Sequence, residues 1–178
     1  EKLAGDLTRR YGQKCLAIPC DVSDPASVRS MADEVAGQFG DIHVLHNNAV
    51  SKSSDLEAFF SSFEEYTLDQ WREVAKVNID GMFLVAQAIG KKMVEQNKGG
   101  SIVQTASVYG VLGSDSRIYE GSSYMGHSIN TPAVYSVSKA AVIGLTKYLA
   151  TYWADKNIRV NCITPGGAES GQNDTFKE

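Results

Sequence analysis

AVYSVSKAAVIGLTKYLATYWADKNIRVNCITPGG, residues 133–167, changes character along its length. Its first part, rich in Ala, Leu, Val and Lys with apolar residues at helical spacing, predicts a helix from about Ala133 to Asp155. IRVNCITP then reads as a strand, and Pro165-Gly166 turns the chain at its end. A helix running straight into a strand of buried type is half of a parallel β-α-β unit.

The same alternation continues upstream. KCLAIPCDV (14–22) is a short apolar run ending near Asp21 and reads as a strand. In SDPASVRSMADEVAGQFGD (23–41), Asp24 suits an N-cap, Pro25 the first helical position and Gly40 the stop. IHVLHNNA (42–49) is a second strand. A capping box, Thr67 and Gln70, starts a long helix predicted to run to Gly99. SIVQTAS (101–107) is a third strand, and Gly113 to Pro132 is a Gly- and Ser-rich loop. This pattern gives an α/β chain of one domain, 1–178: a doubly wound parallel sheet with helices on both faces. Ligands in such sheets gather beyond the carboxyl ends of the strands. Asp21, Asn47-Asn48, Ser107 and Pro165-Gly166 all lie at such ends.

Composition excludes several classes. Among 178 residues, 43% are hydrophobic and 21% charged, and the net charge is −4, which gives no footprint for nucleic acid. No apolar run reaches the roughly 18 residues that a membrane span requires. The opening EKLAGDLTRRYG has no signal-peptide core and looks like the middle of a helix. Cys15, Cys20 and Cys162 are scattered without a CxxC spacing, so no metal site is expected, and this usage fits a cytoplasmic protein.

Tyr135 and Lys139 stand four apart on the predicted helix and share a face. Tyrosine is a poor base at neutral pH, and a nearby ammonium favours its phenolate, which makes it a usable proton donor or acceptor. Alone, the pair is matched by many ordinary helix surfaces. Ser107 alone reads equally as a cap, Asn47-Asn48 as turn formers and Asn78 as a polar residue interrupting a helix.

Taken in order, these motifs resemble the short-chain dehydrogenases/reductases from about Glu1 to the end of the chain. CDVSD is similar to their strand end whose Asp contacts the adenine, NNAV to their N-N-A-G, and VNIDG to their helix asparagine. IVQTAS resembles their catalytic-serine strand, YSVSK their Y-x-x-x-K and ITPGG their P-G turn beside the nicotinamide. The resemblance implies a Rossmann-like fold and an NAD- or NADP-dependent enzyme interconverting an alcohol and a carbonyl. Tyr135 would be the general acid or base, and Ser107 would bond the substrate oxygen. Lys139 would assist Tyr135 and bind the nicotinamide ribose, while Asn78 would hold a water of the proton relay. Asp21 and Val22 would meet the adenine, Asn48 and Ala49 the adenosine side, and Pro165, Gly166 and Ala168 the nicotinamide; Ser170 replaces a cofactor-binding Thr.

The sequence also departs from that family. Its glycine-rich turn T-G-x-x-x-G-x-G and first two strands have no counterpart, so KCLAIPCDV would be strand 3 of the order 3-2-1-4-5-6-7. The chain is therefore expected to be a piece truncated at both ends, inactive alone and unable to bind dinucleotide tightly. Val50 replaces the last Gly of N-N-A-G. Ser107 and Tyr135 are 28 residues apart, and the additional GSDSRIYEGSSYMGHSINTP (113–132) would lie beside the substrate cleft. This insertion, with YSVSKAAVIGLTKYLATYWADKNIRVNCITPGG and then GQND, is similar to oxidoreductases of flagellin-modification and nonulosonic-acid sugar pathways, which implies a small sugar-derived substrate. A sugar epimerase or dehydratase, and a catalytically silent scaffold, are the alternative readings. The resemblance also implies that the full-length protein is a homodimer or homotetramer assembled through the two long helices, which here run from Thr67 and from Ala133.

Overall fold

The structure, a computed structural model, describes residues 1–167. Helix α1 (Lys2–Tyr11) is followed by α2 (Pro25–Phe39), β1 (Val44–Asn47), a short α3 (Leu56–Phe59), α4 (Leu68–Ala75) and α5 (Met82–Gln96). Then come β2 (Gly100–Thr105), β3 (Ser123–Tyr124), β4 (His127–Ser128), α6 (Ala133–Tyr152) and β5 (Ile158–Ile163). Strands β1, β2 and β5 form a parallel sheet in the order β1-β2-β5, with Leu45, Ile102 and Val160 in register.

Local chemistry explains the helix ends. The Asp24 carboxylate accepts from the backbone N–H groups of Ala26 and Ser27, and Gly40 closes α2 with a left-handed φ of 76°. At α4, Thr67 and Gln70 form the reciprocal capping box that their spacing predicts.

The parallel, Rossmann-like sheet is the expected one. Among the described residues, α2, α5 and α6 cover one face, where Val28, Ala32, Val85, Ile89, Met93, Ile102, Leu149 and Val160 form the main core. Met93, Ile102 and Ile158 are fully buried, each contributing about 1.5–3 kcal/mol relative to exposure. Gly90 lets α5 approach the end of α6: a Cβ there would stand 2.1 Å from the Trp153 ring. The alternate residues of β1 and β5 point to the other face, where Val44 and Ile163 are exposed.

Three expectations are corrected. Residues 14–20 form no strand, because a strand exists through its ladder and no described segment pairs with them. The long helix from Thr67 is not continuous: a π-helical turn, Lys76–Gly81, separates α4 from α5, and α5 ends at Gln96. The loop 113–132 contains a 3₁₀ turn (Ser116–Tyr119) and the hairpin β3–β4, whose turn places Met125 and Gly126 at φ 51° and 86°. Asn130 anchors this insertion by donating to the carbonyls of Phe60 and Ser61.

Candidate active site

Strand β2 and helix α6 position the central groups. Lys139 is buried at 5% exposure, and its Nζ donates to the Thr105 carbonyl, at the end of β2, over 2.9 Å. The same ammonium lies 5.7 Å from the centroid of the Tyr135 ring. Among the described residues no carboxylate pairs with it, and burial holds its pKa below the ordinary 10.5. An anion forming beside Lys139 would relieve that cost. Tyr135 is half-buried; its carbonyl accepts from Ser138, and its hydroxyl has no partner among the described residues.

Ser107 is buried at 6% exposure, just past β2, and caps a 3₁₀ turn, Val108–Gly110. Its Oγ accepts from the Tyr109 N–H at 3.2 Å, a long bond that leaves the hydroxyl proton for another acceptor. The turn is pressed onto α6: a Cβ on Gly110 would lie 2.7 Å from the Lys139 carbonyl carbon and 2.9 Å from the Ala140 nitrogen. Its other side is tied to the P-G turn, because Val108 N–H donates to the Pro165 carbonyl at 3.0 Å. The Ser107 turn, the Tyr135–Lys139 helix and Pro165 are thus assembled at one sheet edge.

Asn78 sits inside the π-helical turn, almost fully buried. Its amide clamps the backbone of Ser51, accepting from the N–H at 2.7 Å and donating to the carbonyl at 3.1 Å. The side chain is therefore committed to holding the segment after NNAV, and any water held by Asn78 would have to meet its main chain. π-Helical turns recur at functional sites because they displace the helical hydrogen-bond ladder.

The remaining predicted residues surround this centre. Asn48 is exposed past the end of β1 and makes no hydrogen bond among the described residues; Ala49 is half-buried beside it. Pro165 and Gly166 are exposed. Asp21 keeps its carboxylate below the ordinary range, chiefly through bonds from the Ser23 hydroxyl and N–H. Val22 packs onto Gly81, where a Cβ would come within 2.9 Å of its Cγ2. Ala168 and Ser170 lie outside the described residues.

The structure gives Asn47 a role that its reading as a turn former did not foresee, and it adds groups that the sequence did not single out. Asn47, the first residue of NNAV, is buried and donates to the Met82 carbonyl and to Gln104, whose amide reaches Thr146. This chain crosses the core and locks the end of β1 to α5 and α6. Tyr109, Tyr119 and Thr131 form a second chain, described below. Tyr119 and Thr131 also line a cavity of about 650 Å³ with Tyr66, Trp71 and Asn130, but Ser107, Tyr135 and Lys139 do not.

A parallel β-α-β sheet with Ser107 and the Tyr135-x-x-x-Lys139 pair at its carboxyl edge is a Rossmann-like arrangement of the dehydrogenase type. The family model described as "short chain dehydrogenase" matches residues 1–178, and the chain belongs to that family. It is 36% identical over 164 residues to D-threitol dehydrogenase of Mycolicibacterium smegmatis, covering 92% of this chain and 53% of that protein. Among solved structures, a short chain dehydrogenase from Leptospira borgpetersenii with bound NAD+ superposes with a TM-score of 0.75 at 34% identity, covering 88% of this chain and 56% of that one. A gluconate 5-dehydrogenase from Burkholderia cenocepacia, in complex with NADP and tartrate, gives 0.76 at 30% identity, covering 95% and 57%. The chain spans about half the length of the relatives it matches.

Proposed function

We propose that the full-length protein is an NAD- or NADP-dependent oxidoreductase that interconverts a secondary alcohol and a carbonyl on a polyol or sugar-derived substrate. The observation that carries this reading is the buried Lys139 ammonium, paired with no carboxylate among the described residues, beside the ring of Tyr135 and against the Ser107 turn. Asn48, exposed and without a hydrogen bond among the described residues, and the exposed Pro165-Gly166 turn at the same edge fit a dinucleotide. When bound, its nicotinamide accepts or supplies the hydride.

In the oxidation direction, Tyr135 takes the hydroxyl proton of the substrate, and Lys139 stabilises the charge states that this requires. Ser107 donates to the substrate oxygen and holds the carbinol carbon in place. In reduction the proton returns from Tyr135. Asp21 and Val22 would hold the adenine, Asn48 and Ala49 the adenosine side, Lys139 the ribose, and Pro165, Gly166 and Ala168 the nicotinamide. Asn78 supports the site by fixing Ser51.

Two related proteins, D-threitol dehydrogenase and gluconate 5-dehydrogenase, support the substrate class. A second copy of the chain would cover the groove between α5 and α6, where Phe83, Tyr148 and Tyr152 are exposed, giving a homodimer or homotetramer. Full-length protein given NAD+ or NADP+ is expected to reduce it with at least one of D-threitol, xylitol and D-gluconate. Reduction with none of them would overturn the substrate class.

A further inference from the structure

Three hydroxyls near the site form a chain that the reading above leaves unused. The Tyr119 hydroxyl donates to the Tyr109 hydroxyl at 2.9 Å, and Thr131 Oγ1 lies 2.6 Å from Tyr119. Tyr119 has one proton and gives it to Tyr109, so Thr131 is the donor to Tyr119. The chain therefore runs in one direction, from the insertion toward the site. At its end, the Tyr109 proton has no acceptor among the described residues.

Tyr109 stands two residues after Ser107, on the turn that Gly110 presses against Lys139. It is close enough to Tyr135 that negative charge there opposes its own ionisation. Burial first, then Tyr119, push its phenol up to about 12, so it remains a neutral donor throughout the working pH range. A half-buried donor without a protein acceptor is left to bond a ligand oxygen.

We propose that Tyr109 is a specificity-determining residue that donates a hydrogen bond to a second oxygen of the substrate, next to the reacting carbon. The site then selects a vicinal diol or hydroxycarbonyl over a lone alcohol. Insertion 113–132 takes part through Tyr119 and Thr131, which fix the direction of the Tyr109 hydroxyl. This rests on Tyr135 as the acid–base group.

The test compares kcat/KM in the full-length protein for the best of D-threitol, xylitol and D-gluconate with kcat/KM for 2-butanol. Tyr109→Phe is expected to lower the polyol value about 10-fold, the loss of one hydrogen bond, and to leave 2-butanol within about twofold. Tyr119→Phe keeps the Tyr109 hydroxyl but removes its donor, and is expected to lower only the polyol value, by about threefold. It also serves if Tyr109→Phe does not fold. Equal losses on both substrates, no loss on either, or an unsubstituted protein that prefers 2-butanol would overturn the proposal. Turnover retained in Tyr135→Phe would instead strike at the acid–base reading.

Discussion

Tyr135→Phe in the full-length protein is expected to lower kcat about 1000-fold while leaving thermal stability unchanged. A positioned acid–base group contributes about 10²–10⁴ in rate, and phenylalanine keeps the ring that lies beside the Lys139 ammonium. The Tyr135 hydroxyl has no partner among the described residues, so its removal breaks no bond among them. Steady-state kinetics paired with a thermal melt separates the two effects. Unchanged turnover would remove Tyr135 from the mechanism, and lost turnover with a collapsed melt would point to structure instead.

Gly110→Ala is expected to damage stability and activity together. The new methyl would stand 2.7–2.9 Å from the backbone of Lys139 and Ala140, which cannot swing aside as a flexible side chain would. Overpacking against such a neighbour costs about 1–3 kcal/mol. The Ser107 turn must then lift from α6, which separates Ser107 from Tyr135, and a shift of about 1 Å in such a site costs up to about 100-fold in rate. The control is Gly113→Ala, three residues further on, where a Cβ meets nothing within 4 Å. It is expected to change stability by no more than about 0.5 kcal/mol. Urea titration and kcat/KM on the two variants check this, and equal behaviour of the pair would show that the turn is free to move.

Local rules made much of the fold legible. Asp24, Pro25 and Gly40 bounded α2, and Thr67 with Gln70 started α4, because caps are short-range hydrogen bonds written in adjacent residues. What escaped reading depends on distant partners or on geometry without a residue signature. KCLAIPCDV has strand composition, but its outcome depends on a neighbouring strand. VNIDG keeps helical periodicity, so nothing in it announces the π-helical turn that buries Asn78. The hairpin at Ser123–Ser128 turns through Met125 and Gly126, where turn rules look for Asn-Gly.

The candidate site divides in the same way. Ser107, Tyr135 and Lys139 were readable because motif order placed them on successive elements. The use of the Asn78 side chain was not, since its partner Ser51 is 27 residues away. The Tyr109–Tyr119–Thr131 chain was hidden as well, because only the folded insertion brings its hydroxyls into line.

The most direct test of the whole account follows the hydride. The full-length protein is given NAD+ or NADP+ with the polyol it oxidises fastest, deuterated at every carbinol carbon, and the reduced nicotinamide is examined by mass spectrometry. The account predicts one deuterium on the reduced nicotinamide ring and a matching carbonyl in the product, both lost in Tyr135→Phe. Carbonyl formation without deuterium on the nicotinamide would contradict it.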